Sequence, residues 1–363
     1  MSGQLDTRLG ERYYKDDAAV ERQHIDAIVA MIHRAIEGHF NDAHGKEKPA
    51  LARRDAHAMD NGCVRALFRI DHGLPKDLQH GVFQPGREYR AWIRYSNGNS
   101  EPKPRWWPDA RGMAIKLFGV EGDKLMDDEK LTQDFILISH PVFFVNDLER
   151  YLATLEAFLR GGLVNQYVIS PFKLNLREMI LAVIANLHIQ SNPLLDQYWS
   201  MVPYRLGTAE TGTAVKYTAK PRLADKPSLI AKLATVFGAN FSLKQAMADT
   251  LGGTEVWFDF YVQRWKDERR TPVEDSRVEW READAPLEHI GEIIVPMQDI
   301  MSDAQARFCE NLSISPWHSL ADHKPLGLVN RVRKVAYHEI SALRHRLNKA
   351  PLQEPTGDEV FGR

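Results

Sequence analysis

The sequence predicts an α+β fold built on an antiparallel sheet, and three observations carry that prediction. Segments with strand alternation come in a run, not singly between helices. Segments with helical periodicity are inserted into that run or appended after it. No internal repeat, alternating βαβ pattern or linker is visible, so residues 1–363 read as one domain. Its first part, 1–50, is a helix and arm, and 350–363 is a Pro/Gly-containing tail.

Residues Ala19–Phe40 form the first predicted helix, because Ile25, Ile28, Val29, Ile32 and Ile36 repeat at helical spacing. The stretch Asn41–Asp60 is rich in Lys, Arg and His with little periodicity and reads as an irregular arm. From Gly62 the pattern changes to alternation. In CVRALFRI, Val64, Ala66 and Phe68 line one face of a strand. EYRAWIRYS is a second strand, ARGMAIKLFG a third, and the more continuously apolar DFILISHPVFF a fourth. Helices follow over Asp147–Leu159, ended by Gly161-Gly162, and over Lys173–Leu187. Further strands are predicted over Thr213–Ala219, Thr254–Arg264 and Ile290–Val295, the last of them. Leu229–Leu251 and Val329–Asn348 are helical by composition.

Hydrophobic residues make up 44% and charged residues 26%, the balance of a soluble globular chain. The 47 Lys plus Arg against 49 Asp plus Glu exclude the basic surplus of a nucleic-acid binder, though not a local basic pocket. Two cysteines, Cys63 and Cys309, make neither a disulfide scaffold nor a zinc pattern and read as reduced, partly buried small hydrophobes. The polar N-terminus has no apolar core of a secretory signal. The longest apolar candidate, Met179–Leu187, has about half the length of a membrane span. The expected location is the cytoplasm.

The most informative pattern lies in RVRKVAYHEISALRHR. Each helical residue advances about 100°, so relative to Arg333, Tyr337 lies at about 40°, Ile340 at about −20° and Arg344 at about 20°. Two arginines and a tyrosine thus share one narrow stripe. A phenol has a pKa near 10 and becomes a metal ligand only when deprotonated. An arginine one turn away favours the phenolate by charge and hydrogen bonding. The plain alternative is a half-buried helix tyrosine between solvated arginines.

With the rest of the chain, this helix resembles the proximal helix of haem catalases. That family carries Arg-x-x-x-Tyr and a further arginine seven residues after the tyrosine, standing here as Arg333, Tyr337 and Arg344. The resemblance continues in family order. ARGMAIKLFG is similar to Pro-Arg-Gly-Phe-Ala-Val-Lys-Phe, HPVFFVND to Thr-Pro-Ile-Phe-Phe-Ile-Arg-Asp, and IRYS to Val-Arg-Phe-Ser. RRDAHAMDNGCVRALF resembles Arg-Val-Val-His-Ala-Lys-Gly ahead of the first barrel strand. EVWFDFYVQRW resembles Trp-Thr-Phe-Tyr-Ile-Gln-Val. The correspondence spans roughly residues 50 to 346, loosely in the middle, and implies a catalase-like antiparallel β-barrel. It implies a minimal core with inserted and C-terminal helices and no extra C-terminal domain.

The resemblance implies ferric haem b with Tyr337 as iron ligand, the phenolate being held by Arg333. Arg54, Arg94 and Arg344 then neutralise the haem propionates, and Phe143 and Phe144 form apolar pocket wall. His57 falls at the distal histidine and acts as acid–base on a peroxide, with Ser96 fixing its tautomer. Substrates are hydrogen peroxide or organic hydroperoxides, with an unknown electron donor, and relatives of this kind commonly form homo-oligomers.

The pattern breaks where catalases carry an asparagine that assists the distal histidine: Ile138 stands there and cannot hydrogen-bond. Met59 also replaces a usual lysine, with an apparent one-residue insertion. Asn97 or Asn99 are the candidates to replace the missing amide. The distal side is therefore not expected to be that of an efficient hydrogen peroxide dismutase. Three readings stay open: a haem peroxidase, a lipid hydroperoxide isomerase or dehydratase resembling allene oxide synthase, and a haem-binding protein without turnover.

Overall fold

Eight antiparallel strands close into a barrel in a computed structural model that describes residues 5–43, 51–54, 57–58, 60–98, 109–159, 176–186, 188–222, 233, 237 and 242–361. The strands are β1 (Asp60–Ile70), β2 (Glu88–Asn97), β3 (Arg111–Phe118), β4 (Thr132–Ile138), β5 (Tyr198–Trp199), β6 (Tyr204–Leu206), β7 (Thr213–Pro221), β8 (Val256–Arg264) and β9 (Glu288–Val295). Their order is β5-β4-β3-β2-β1-β9-β8-β7-β6. A further pairing of Tyr198 with Ala219 and Trp199 with Thr218 joins β5 to β7 and closes the ring, leaving β6 as a flap on β7. Closure removes the free edges of an open sheet.

The inward residues of β1 are Val64, Ala66, Phe68 and Ile70, all buried, as its alternation predicts. They meet an aromatic core: Phe68 lies 4.9 Å from Phe260, and Phe135 4.9 Å from Tyr217, both edge to face. Such pairs add to the gain from burial alone.

The helices are α1 (Ala18–Ala43), α2 (Leu148–Leu159), α3 (Leu176–Asn186), α4 (Leu243–Leu251), α5 (Asp303–Asn311) and α6 (Leu328–Asn348). Asp17 Oδ1 caps α1 by accepting from the amides of Ala19 (2.8 Å) and Val20 (3.1 Å), and Asp147 Oδ1 accepts from Arg150 N–H at 2.9 Å at the start of α2. The predicted isoleucines of α1 are all buried, packed with Leu148 of α2 and with Val332, Ala336 and Leu343 of α6. Each such burial contributes about 2 kcal/mol. This helical layer lies against the barrel, and the cavity described below opens between them.

Two expectations change. The fourth strand stops at Ile138 and does not continue through HPVFF. Ser139 N–H turns to the carbonyl of Arg111 (2.8 Å), Pro141 has no amide to donate, and Phe143 N–H goes to Ser276 O (3.0 Å). Unpredicted β5, β6 and α5 also appear. Of the predicted helix Leu229–Leu251, only residues 242–251 and two isolated positions fall within the described residues, and Leu243–Leu251 is helical. Both cysteines are free and buried, and Cys309 Sγ donates to Asp60 Oδ1 (3.9 Å).

The start of α6 is held by ions. Arg331 pairs with Glu21 (2.8 Å), Glu274 (2.8 Å) and Glu11 (3.2 Å). Glu11 also accepts from Gly327 N–H (2.8 Å) and pairs with Lys324 (3.0 Å). The carboxylates meet the amides and positive dipole end of the helix. Among the described residues no helix is long and apolar enough to cross a membrane.

Candidate active site

A cavity of about 400 Å³ lies between the barrel and the helical layer. From α6 it receives Arg333, Tyr337, Ile340 and Arg344, the stripe that helical spacing predicts. From the opposite wall come His57, Ser96 and Ile138, and from the segment after β4 come Phe143 and Phe144. Arg54 and Arg94 complete it, so the residues to which the resemblance gives an iron-binding, haem-binding or acid–base role all line this one cavity.

Strand register sets the wall opposite Tyr337. Ser96 of β2 pairs with Gly112 of β3, which pairs with Ile138 of β4, so the three form one row across the sheet. His57 packs onto this row. Its Nδ1 lies 3.1 Å from Ser96 Oγ, and a Cβ on Gly112 would come within 2.8 Å of that nitrogen and 2.6 Å of the hydroxyl. Only glycine leaves room for the imidazole there.

The His57 backbone is left-handed, with φ +58°, a conformation that costs about 1–3 kcal/mol outside glycine. Two hydrogen bonds hold it: His57 N–H donates to Gly98 O (3.2 Å), and Arg94 Nη2 donates to His57 O (2.9 Å). Burial, then Arg94, Arg333 and Arg54 nearby, push the imidazole pKa down to about 3. The ring is therefore neutral at physiological pH, with one nitrogen lone pair available.

Three guanidiniums converge at one end of the cavity. Arg54 donates to Leu312 O (2.8 Å) and Glu310 O (3.1 Å) and pairs with Glu310 (3.2 Å). Arg344 donates to Ala52 O (3.1 Å) and pairs with the same carboxylate. Burial and mutual repulsion with Arg94 and Arg344 lower Arg54 to about 9, and burial likewise lowers Arg344. Three cations and one carboxylate leave a buried surplus of positive charge, suited to a dianion.

On α6 the Arg333 guanidinium carbon lies 5.9 Å from the centre of the Tyr337 ring. Among the described residues, Nη1 of Arg333 and Nε of Arg94 are buried polar atoms without a hydrogen-bond partner. Such donors are costly to leave unmet and mark places where a ligand is accommodated.

Sequence reasoning missed Glu310 and Gly112 as parts of the site. A glycine inside a strand signals close approach of another group, so Gly112 was detectable; an acid on the short helix α5 carries no such signal. The proposed amide replacement does not hold for Asn97: its carbonyl accepts from Arg111 and from Asn61 (2.6 Å), and it does not line the cavity. Asn99 and Met59 lie outside the described residues.

A second buried group of acids, Glu129 and Asp134 with His318, has ligand atoms close enough for a metal. The Lys116 ammonium already sits there, 2.8 Å from Asp134 and paired with Glu129. This is an internal ion cluster that supplies its own cation.

No family model and no curated protein matches the sequence. The architecture does match solved structures. A fungal catalase superposes with TM-score 0.67 at 17% identity, over 88% of this chain and 65% of that one. A bacterial catalase gives 0.65 at 19%, over 88% and 63%, and catalase A from Saccharomyces cerevisiae 0.67 at 16%, over 89% and 67%. The chain thus spans slightly less than two thirds of the length of the first two.

Proposed function

We propose, from the premise that this chain has the catalase fold, that its cavity holds ferric haem b on Tyr337 and that the protein is a haem-dependent peroxidase of hydrogen peroxide or organic hydroperoxides. The observation that carries this reading is the opposition of Tyr337 and Arg333 to His57 across one cavity, with three arginines at its end. The residues fit the group. Arg54, Arg94 and Arg344 offer the charge that two propionates need, and the unmet donors Arg94 Nε and Arg333 Nη1 await acceptors.

When bound, the haem supplies a ferric centre and the redox chemistry of O–O cleavage. The protein groups do the rest. Arg333 would keep its positive charge beside the Tyr337 ring. Ser96 Oγ accepts from His57 Nδ1–H, which leaves the Nε2 lone pair free. Nε2 takes the hydroperoxide proton and returns it to the departing oxygen. Ile138, Phe143 and Phe144 give this part of the cavity an apolar wall. An external donor returns the electrons.

A second reading, hydroperoxide isomerisation or dehydration, is favoured by Ile138 on the His57 wall, since no amide stands there to bind a second peroxide polar group. Dependence on an electron donor separates the two: a peroxidase needs one and an isomerase does not. A haem-binding protein without turnover would react with no hydrogen peroxide, alkyl or fatty-acid hydroperoxide at full occupancy.

The test is the ultraviolet–visible spectrum of protein from haem-replete cells beside that of Tyr337→Phe. A Soret band with high-spin ferric features, displaced or lost in the variant, is expected. No Soret band even after haem titration would overturn the proposal.

A further inference from the structure

The outer face of the barrel carries a second, independent feature. Val215, Tyr217 and Ala219 of β7 point into the barrel core, so Lys216 between them points out. Its cross-strand partner is Gln263 of β8. Gln263 Nε2 donates to the carbonyls of Trp280 (2.8 Å) and Ala285 (2.7 Å), which pins the following loop over the strand. Beneath it remains a cavity of about 100 Å³ lined by Lys216, Gln197, Trp199 and Trp280, with Glu279 and Glu282 exposed at its edge.

Lys216 is 4% exposed. Its Nζ reaches Val278 O only at 3.4 Å and stands 5.2 Å above the Trp280 ring. Among the described residues no carboxylate lies within ion-pair distance of it. Burial pulls the amine down to about 7, with Glu279 and Asp275 only partly offsetting this. A lysine that gives up its proton beside an open cavity is a nucleophile.

We propose that Lys216 is a reactive amine that captures short, neutral aldehydes as an imine in this cavity. The amine lone pair attacks the carbonyl carbon and forms the C–N bond. The carbonyl oxygen leaves as water, taking both amine protons, and no oxidant or reductant is required. The cavity has room for a molecule of a few heavy atoms, a water taking about 30 Å³. The imine is less basic than the amine, so it stays largely uncharged among the two tryptophans, and its small protonated fraction is the form that cyanoborohydride reduces. Glu279 and Glu282 at the edge repel anionic carbonyl compounds.

The test uses the purified wild-type protein with propanal and cyanoborohydride at neutral pH, followed by peptide mapping. Lys216 is expected to gain a propyl group at least ~100-fold faster than the exposed lysines, whose ordinary pKa near 10.4 keeps them protonated. Glyoxylate, an anionic aldehyde, is expected to label Lys216 far more slowly than propanal. Lys216→Met, a neutral side chain of similar length, removes the fast label while keeping the melting temperature. Labelling of Lys216 no faster than that of exposed lysines would overturn the proposal, as would equal labelling by glyoxylate. Both readings come from the wild type and stand whether or not the variant folds.

Discussion

Arg94 Nη2 donates to the carbonyl oxygen of His57 at 2.9 Å, and the same guanidinium belongs to the arginine end of the cavity. One side chain thus holds both the strained histidine backbone and part of the anion site. An ammonium cannot make both contacts in the geometry of a planar fork. Arg94→Lys is expected to raise the haem dissociation constant at least ~10-fold and to slow the reaction with peroxide at full haem occupancy. Haem titration and stopped-flow absorbance measure the two separately. A variant equal to wild type in both would remove Arg94 from the site.

Gly112→Ala tests the seat of the imidazole. The added methyl group would stand 2.8 Å from His57 Nδ1, so the ring must shift. Displacement of a catalytic group by about 1 Å costs on the order of 10² in rate. The barrel should still form, because Gly112 sits at a strand end beside the cavity. Circular dichroism and peroxide kinetics report the two outcomes.

His57 is held neutral far below its ordinary range, with a folded pKa of about 3 against 6.5. Peroxide reactivity is therefore expected to stay flat between about pH 5 and 8. An acid limb with a midpoint near the ordinary histidine value would show the imidazole titrating freely, contrary to this reading. His57→Ala should keep haem and react roughly 10²-fold more slowly.

His318 behaves in the opposite sense. Burial and the Lys116 charge push it down, but hydrogen bonds to Asp128 and Asp134 prevail and hold it at about 9 against 6.5. Its contribution to stability is complete below about 6.5 and is lost as pH rises through about 9. The melting temperature should fall across that alkaline window in the wild type and less steeply in His318→Asn. Parallel curves would show that the ion cluster does not depend on the charge of His318.

The long, periodic elements were legible: the isoleucine stripe of α1, the alternation of β1 and the four- and seven-residue intervals between Arg333, Tyr337 and Arg344 all appear where spacing predicts. Two-residue β5 and three-residue β6 have no period to detect, although β5 closes the barrel. In α5 only Gln305 and Cys309 are buried, so no apolar stripe announces a helix. Glu310 meets Arg54 and Arg344 through tertiary packing alone, and the fate of Asn97 was decided by Arg111, a residue distant by more than a helical turn's reach in sequence. Pairings of this kind are set by the fold and leave no local mark.

The ion cluster around Arg331 acts as a knot between segments that lie far apart in sequence. One guanidinium joins Glu11, Glu21 and Glu274 to the helix that carries Tyr337. Removing it would leave Glu21 and Glu274 without that cation in a largely buried place, which is costly. A single change at Arg331 would therefore slacken the N-terminal helix, the segment around Glu274 and the Tyr337 wall together, although none of its own atoms faces the cavity.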